Sequence, residues 1–321
     1  MNSPEWLKHR LFNKIQSALL VGGMGMLLGS LGWLIGGDFL AIIALSVIVA
    51  TYLLNPMVSP RLILNMYRGR KIGHYDAPQL YRVLHVLAER ADLPRTPLLY
   101  YLPSDVMNAF AVGTREHAAI AISDGLLRRL SLREIAGVLA HEISHIEHND
   151  TRVMGFADLS SRMTSLLSFF GQILLLLNLP LILFGGYTIS WTAILLLIFA
   201  PTVSGLLQLA LSRTREYNAD LGSAKLLGDP EPLASALSKM QQFQGLILER
   251  LIWPAQRLPE PSLLRTHPPT QERIRRLLAL REAPRAVSAR TAVPFGSKQA
   301  PLGLIAQVPH PPRWHINGLW Y

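Results

Sequence analysis

The chain has 321 residues, no cysteine, 50% hydrophobic and only 16% charged residues, a formal net charge of +10 and a mean hydropathy of +0.27. No disulfide can brace it, no thiolate can act as nucleophile or ligand, and any metal must be held by His, Asp or Glu. So apolar a composition excludes an ordinary soluble protein. The basic residues flank apolar segments instead of forming one aromatic-interleaved patch, which argues for anionic lipid headgroups and against nucleic acid as what they meet.

Lys8, Arg10 and Lys14 precede an apolar run over 18–35. The run is long for the apolar part of a signal peptide, and after Gly36-Gly37-Asp38 a second uncharged stretch covers 39–54 before Asn55-Pro56. The two predict a transmembrane hairpin over residues 15–57. Gly22, Gly25, Gly29 and Gly32 offer a small-residue surface for another helix, unless they are simply the glycines common in membrane spans. Arg61, Arg68, Arg70 and Lys71 follow the hairpin, while its turn carries only Asp38. That charge bias places the N-terminus and the next domain on the cytoplasmic side.

From Asp76 the composition is that of a water-soluble domain. Leu80, Val83, Leu84 and Leu87 mark an amphipathic helix that stops before Pro94, and 97–102 reads as a short strand. Residues 107–113 and 118–122 read as two strands joined by a polar turn over 114–117. A strand of this kind at a sheet edge can hold an extended peptide by main-chain pairing, and Asn108, Ala109 and Phe110 are the candidate substrate strand; the alternative is a strand that only completes the sheet.

The next helix opens at Ser131 and Glu134, which make a capping box, and Leu132, Ile135, Val138, Leu139, Ile143 and Ile146 follow at helical spacing. On it lies His141-Glu142-Ile143-Ser144-His145. Imidazoles four residues apart share a helix face and can share one metal ion, and Glu142 stands where a general base is wanted. The bland alternative is a pair of hydrogen-bonded histidines on an amphipathic helix.

No Lys or Arg occurs between Arg162 and Arg213, and two further uncharged stretches predict a second hairpin over 163–211, with both ends on the basic, cytoplasmic side. Gln172, Asn178 and Pro180 interrupt its first span, marking a helix contact or a kink. Directly beyond it, Glu216 and Asp220 lie at i, i+4 on one helix face. Alone they would be a solvated helix end. Beside a His pair, Glu216 supplies the missing carboxylate ligand and Asp220 can orient an imidazole. His148 competes with Glu216 as third ligand, but seven residues along a helix is a rise of about 10 Å, and no Gly or Pro invites a break after His145. His148 is better placed as a cation at the helix C-terminus.

A helix carrying Leu233, Leu237, Met240 and Phe243 follows Gly228-Asp229-Pro230, a loop covers 254–261, and a last helix starts near Thr270 with Ile274, Leu277 and Leu278. Between them His267, in Thr266-His267-Pro268, is either an ordinary loop histidine or a donor near the site. Residues 283–321 form a Pro-rich, basic tail with little periodicity.

His141-Glu142-Ile143-Ser144-His145, a charge-free membrane hairpin and then Arg215-Glu216-Tyr217-Asn218-Ala219-Asp220 together resemble the HtpX-type membrane zinc metalloproteases, relatives of the CAAX prenyl proteases. Asn108-Ala109-Phe110 and Thr266-His267-Pro268 add to the resemblance, which covers roughly 10–282. It implies an α-helical multi-pass membrane protein with four transmembrane helices in two hairpins, carrying a mainly α (α+β), gluzincin-like zinc protease domain split between 58–162 and 212–282. It also implies the inner membrane of a bacterium, with N-terminus, C-terminus and zinc site cytoplasmic, and damaged or misassembled membrane proteins as substrates. The tail departs from the core family pattern, and its role is open.

On this reading one Zn²⁺ per chain is held by His141, His145 and Glu216, with the fourth position left for water. Glu142 is the base, and the oxyanion rests on the metal and on a further donor, His267 first and Asn108 second. Two other readings compete: a catalytically silent, zinc-containing membrane adaptor, against which the presence of Glu142 speaks, and a zinc hydrolase of another amide or lipid. Cleavage preference and oligomeric state are not legible in the residues.

Overall fold

The protein is described here from a computed structural model, over residues 4–54, 60–184, 190–250 and 270–282. The expected loop over 254–261, His267 and the tail 283–321 lie outside these residues.

Helix α1 (Pro4–Leu54) is two helices joined at a break, where Gly36 (φ −148°, ψ 27°) and Gly37 (φ 63°, ψ −153°) leave helical geometry. Gly37 takes a conformation essentially closed to residues with a Cβ. The chain doubles back there. A Cβ added to Gly29 would meet the Leu45 side chain at 3.5 Å, and one added to Gly32 the Leu40 carbonyl oxygen at 2.8 Å. On a single straight helix Gly29 and Leu45 would stand ~24 Å apart. Trp33 Nε1 donates to Asp38 Oδ1 across the turn at 3.1 Å. The glycine surface is narrower than the spacing suggests, because an added Cβ at Gly22 or Gly25 meets nothing within 4 Å. Close approach is confined to the turn end of the hairpin.

Helix α2 (Pro60–Met66) leads into a four-stranded sheet of order β1-β2-β4-β3. In it, β3 (Ala109–Gly113) and β4 (Ala118–Ser123) form the expected antiparallel hairpin, with Phe110 opposite Ala121. Strand β2 (Leu98–Leu102) joins β4 in parallel, and β1 (Arg70–Lys71) adds to β2 antiparallel. The result leaves β3 on an edge. Ile120 and Ile122 of β4 pack with Leu84 and Leu87 of α3 (Pro78–Arg90), and a short α4 (Asp124–Arg129) is capped by Ser123, whose side chain accepts from the Leu126 N–H.

Helix α5 (Leu132–Glu147) runs through the middle of the domain, with Ile135, Leu139 and Ile143 fully buried. The capping box is formed as expected: Ser131 accepts from the Glu134 N–H while Glu134 accepts from the Ser131 N–H at 2.8 Å. Glu134 also accepts from Ser235 at 2.6 Å and from Lys239 at 2.8 Å, which pins α8 (Glu231–Arg250) to the start of α5. Gly137 lies so close to α8 that an added Cβ would sit 2.6 Å from the Leu233 nitrogen.

The helix ends at His148, where the sequence places its C-terminus. His148 is its C-cap, with Nδ1 2.8 Å from the Ser144 carbonyl oxygen, and Asn149 adopts a left-handed conformation (φ 54°) that starts α6 (Asp150–Leu183) in a new direction. Asn is among the few residues with a Cβ that tolerate this region, so no Gly or Pro is needed for the break.

Helix α6 and helix α7 (Trp191–Leu227) run antiparallel, with Ser161 Oγ donating to Gln208 Oε1 at 2.7 Å and Ser168 Oγ to the Ile198 carbonyl at 3.1 Å. Gln172, Asn178 and Pro180 do not stop α6, and Asn178 is fully buried. Met24 of α1 packs with Phe156 and Leu211, so the first hairpin rests on the second. Three described segments are long and apolar enough to cross a membrane, Ile15–Val47, Asp150–Pro180 and Trp191–Leu227, the first of them being the doubled-back part of α1.

Helix α7 extends beyond its apolar part and crosses α5. Ser223 Oγ donates to the Gly137 carbonyl at 2.9 Å, and a Cβ added to Gly222 would stand 2.7 Å from the Ser144 Cβ. Helix α9 (Thr270–Glu282) lies against α8 and α7. Gly222→Ala is therefore expected to push α7 away from α5 at an overpacking cost of about 1–3 kcal/mol. Thermal melts in detergent should show a lowered transition, partly restored by adding Ser144→Gly; an unchanged transition in the single variant would contradict the close approach.

Candidate metal centre and active site

Four helices deliver the site. His141, Glu142 and His145 come from α5, Glu216 and Asp220 from the end of α7, Asp150 from the first turn of α6 and Arg273 from α9. The ligand atoms of His141, His145 and Glu216 lie within 4.8 Å of one another. The two Nε2 atoms are 3.1 Å apart, with Glu216 Oε2 3.5 Å from that of His141 and Oε1 3.8 Å from that of His145. His148 stands outside this group, turned back on the carbonyl of Ser144.

What occupies the far side of each ring decides how it faces. Asp220 Oδ1 lies 3.1 Å from His141 Nδ1, and Asp150 Oδ2 lies 2.8 Å from His145 Nδ1. A carboxylate at Nδ1 favours the Nδ1–H tautomer and leaves the Nε2 lone pair aimed at the shared point. Two Nε2 lone pairs and one carboxylate converging there make a donor set suited to zinc and similar divalent ions, so the residues fit such a metal. His145 is the most exposed of the three, its side chain 17% accessible against 8% for His141 and 7% for Glu216, so the cluster opens to solvent on that side.

Arg273 is buried, and its guanidinium closes the other side. Its Nη1 lies 2.9 Å from Glu216 Oε2, while its Nε and Nη2 reach the two oxygens of Asp220 at 2.9 and 2.7 Å. This fork-to-fork pairing offsets the burial of two carboxylates. Burial pulls the guanidinium pKa down, but Asp220 and Glu216, with a contribution from Glu142, hold it above the ordinary value. Burial likewise pulls the His141 imidazole down; the Asp220 and Glu216 carboxylates outweigh that and raise it to about 9. His145 is raised in the same sense, Asp150 overcoming its desolvation.

Asn108 is tied to β4, its N–H donating to Ser123 Oγ and its carbonyl accepting from the Ser123 N–H, each at 2.9 Å. Ala109 and Ala111 of β3 pack on the core that α5 enters, which sets the edge strand beside the metal helix. His267, the other expected donor, lies outside the described residues.

Residues 75–281 match the model of peptidase family M48. The chain belongs to that family. It is 35% identical to the Protease HtpX homolog of Methylibium petroleiphilum over 293 residues, covering 84% of this chain and 98% of that protein. The same name is carried by a relative from Burkholderia ambifaria, 36% identical over 291 residues with the same coverage. A crystal structure of S. mikatae Ste24p aligns with a TM-score of 0.42 at 21% identity, over 84% of this chain and 66% of that one. As an M48 member of HtpX type, the chain is a metallopeptidase, and its long apolar helices make it a membrane protein.

Two of this M48 chain's site residues escaped the sequence reading. Arg273 sits in an Arg-rich helix with Arg275 and Arg276, and only its place one turn before the buried Leu277 marks it as inward. Asp150 would point roughly 140° away from His145 if the helix ran on, and it is the turn at Asn149 that brings it under the ring.

The His141 proton has to leave before its Nε2 can bind a metal. Because the pKa is raised, protonation competes throughout the range below about 9, and zinc affinity should fall as the pH drops. Titration calorimetry at neutral pH in buffers of different ionisation enthalpy should show proton release on zinc uptake. Zinc binding with no proton exchange would contradict the paired carboxylates' effect on the ring.

Proposed function

We propose that the chain is a zinc-dependent membrane endopeptidase that hydrolyses peptide bonds of damaged or misassembled membrane proteins at the cytoplasmic face of a bacterial inner membrane. The observation that carries it is the convergence of His141 Nε2, His145 Nε2 and a Glu216 oxygen on one point, with Glu142 beside them on α5. Among the described residues this is the one such group, which supports one zinc per chain. When bound, zinc supplies Lewis-acid chemistry, acidifying a water and polarising the scissile carbonyl.

The rest falls to the chain's own groups. Glu142 Oε takes the proton of the attacking water and hands it to the leaving amine nitrogen, so no acyl-enzyme is needed. Asp220 keeps the His141 proton on Nδ1, and Arg273 neutralises Asp220 and Glu216 without competing for the His145 side, where solvent and substrate enter. Among the described residues β3 is the outer strand of the sheet, and its edge, with Asn108, Ala109 and Phe110, is where an extended substrate would add as a strand. Asn108 and His267 are the candidate donors to the oxyanion.

The topology rests on charge and on the doubled-back α1. Counting its two limbs with α6 and α7 gives four crossings in two hairpins, the second over 163–211 between the two parts of the catalytic domain, 58–162 and 212–282. Lys8, Arg10 and Lys14 stand before the first hairpin and Arg61, Arg68, Arg70 and Lys71 after it, which supports a cytoplasmic site. Glu216 lies three residues beyond Arg213, a rise of roughly 5 Å, so the active site lies close to the membrane surface.

Purified Glu142→Gln is expected to bind zinc like the wild type and to lose peptide hydrolysis by roughly 10²- to 10⁴-fold. Substantial cleavage by that variant would sink the mechanism, a wild type with full zinc and no hydrolytic activity would indicate the adaptor, and cleavage of a non-peptide amide or lipid alone would indicate the other hydrolase. Zinc stoichiometry separates the ligands: Glu216→Ala should bind much more weakly, while His148→Ala should keep its metal and most of its activity.

A further inference from the structure

We propose that Asp150 is a positioning residue for the metal site and that Arg215 holds it in place, so that the base of the α6–α7 hairpin sets the orientation of His145. The proposal rests on the zinc reading of His141, His145 and Glu216 and goes beyond it. Asp150 is the first residue of α6 and is buried, with one carboxylate oxygen 2.8 Å from His145 Nδ1 and the other 2.8 Å from Arg215 Nη1. Arg215 belongs to α7, the returning helix, and precedes Glu216 directly.

Each imidazole thus has its own carboxylate and each carboxylate its own arginine: Asp220 with Arg273 behind His141, Asp150 with Arg215 behind His145. The two relays differ in what they are attached to. Arg273 reaches in from α9, whereas Asp150 and Arg215 stand at the two ends of a membrane hairpin, where α6 leaves the catalytic domain and α7 returns to it. A buried carboxylate cannot hold its place without a partner, since stripping one member from such a pair leaves an uncompensated charge. If the hairpin base opened, Asp150 would lose Arg215, and His145 would lose the acceptor that fixes its Nδ1–H tautomer and ring plane. Closure of the hairpin base is therefore read directly by one ligand of the metal.

The test uses full-length protein in detergent and two readouts besides activity: zinc affinity by chelator competition, and the visible spectrum of the cobalt-substituted form. Asp150→Asn should weaken zinc about 10- to 100-fold and shift the cobalt spectrum. Arg215→Gln should move both readouts in the same direction, and Arg215→Lys, which keeps the cation, should move them less. The double variant Asp150→Asn/Arg215→Gln should be no weaker than Asp150→Asn alone, because the two act through one contact. Melting of the metal-free proteins measures any general loss of stability separately. Wild-type affinity and spectrum in Asp150→Asn would overturn the positioning role, and losses that multiply in the double variant would overturn the link to Arg215. If Asp150→Asn does not accumulate, the two Arg215 variants decide, and unchanged readouts in both overturn the proposal. A wild type that takes up neither metal would bring down the zinc reading itself.

Discussion

Burying charge is what this structure has to solve. Glu142, Asp150, Glu216 and Asp220 lie with His141 and His145 in one region where α5, α6, α7 and α9 meet, each carboxylate largely withdrawn from water. Carboxylates in such a place hold their charge only if cations and hydrogen-bond donors face them, because desolvation costs several kcal/mol per ion. Arg273 faces Glu216 and Asp220, Arg215 faces Asp150, and both imidazoles are drawn toward their protonated forms by the same negative field. A divalent cation held by His141, His145 and Glu216 would relieve the field in another way, replacing protons by metal charge. The appetite of the site for metal follows from its electrostatics as much as from its geometry.

That charge cluster can exist only where the helices come very close. Gly222 of α7 passes over Ser144 of α5, Ser223 bonds the Gly137 carbonyl, and Gly137 in turn admits the backbone of α8. A Cβ at Gly222 or Gly137 would sit 2.7 Å from the Ser144 Cβ or 2.6 Å from the Leu233 nitrogen, so any side chain there would push α5 and its neighbours apart and disturb the ligand spacing. Packing density and ligand geometry are therefore one constraint. The buried apolar residues around Ile135, Leu139 and Ile143 keep α5 fixed while the second hairpin brings α7 back to it.

Much of this was legible in the chain because its signals are local. The capping box at Ser131 and Glu134, the i, i+4 pair His141 and His145, and the i, i+4 pair Glu216 and Asp220 each depend on a few residues of one helix, and each is found where the spacing puts it. The strands of the β3–β4 hairpin were readable for the same reason, joined by a short polar turn. The parallel pairing of β2 with β4 and the two-residue β1 were not, since they depend on contacts between distant segments. The end of α5 at His148 is legible too, but the new direction that α6 takes is not, because Asn149 accepts a left-handed conformation without announcing it as Gly would. Arg273 was hidden for a chemical reason: an arginine that neutralises buried carboxylates reads, in sequence, like any solvent-facing arginine of a basic helix.

Chain order adds a constraint that the finished site conceals. His141 and His145 are synthesised before the second hairpin, and Glu216, Asp220 and Arg215 only after it. The α5 helix alone offers two imidazoles, which is too few ligands for a tight site, and its Asp150 neighbour has no arginine to face until α7 has returned. The set of donors is complete only with α7 standing back against α5 and α6, the position that Ser161, Gln208 and Ser168 help to hold. Arg273 comes later still, from α9, and closes the side of the cluster away from solvent. A chain whose second hairpin has not assembled thus carries the His-Glu motif in full and still lacks the third ligand and both arginines on which the buried carboxylates depend.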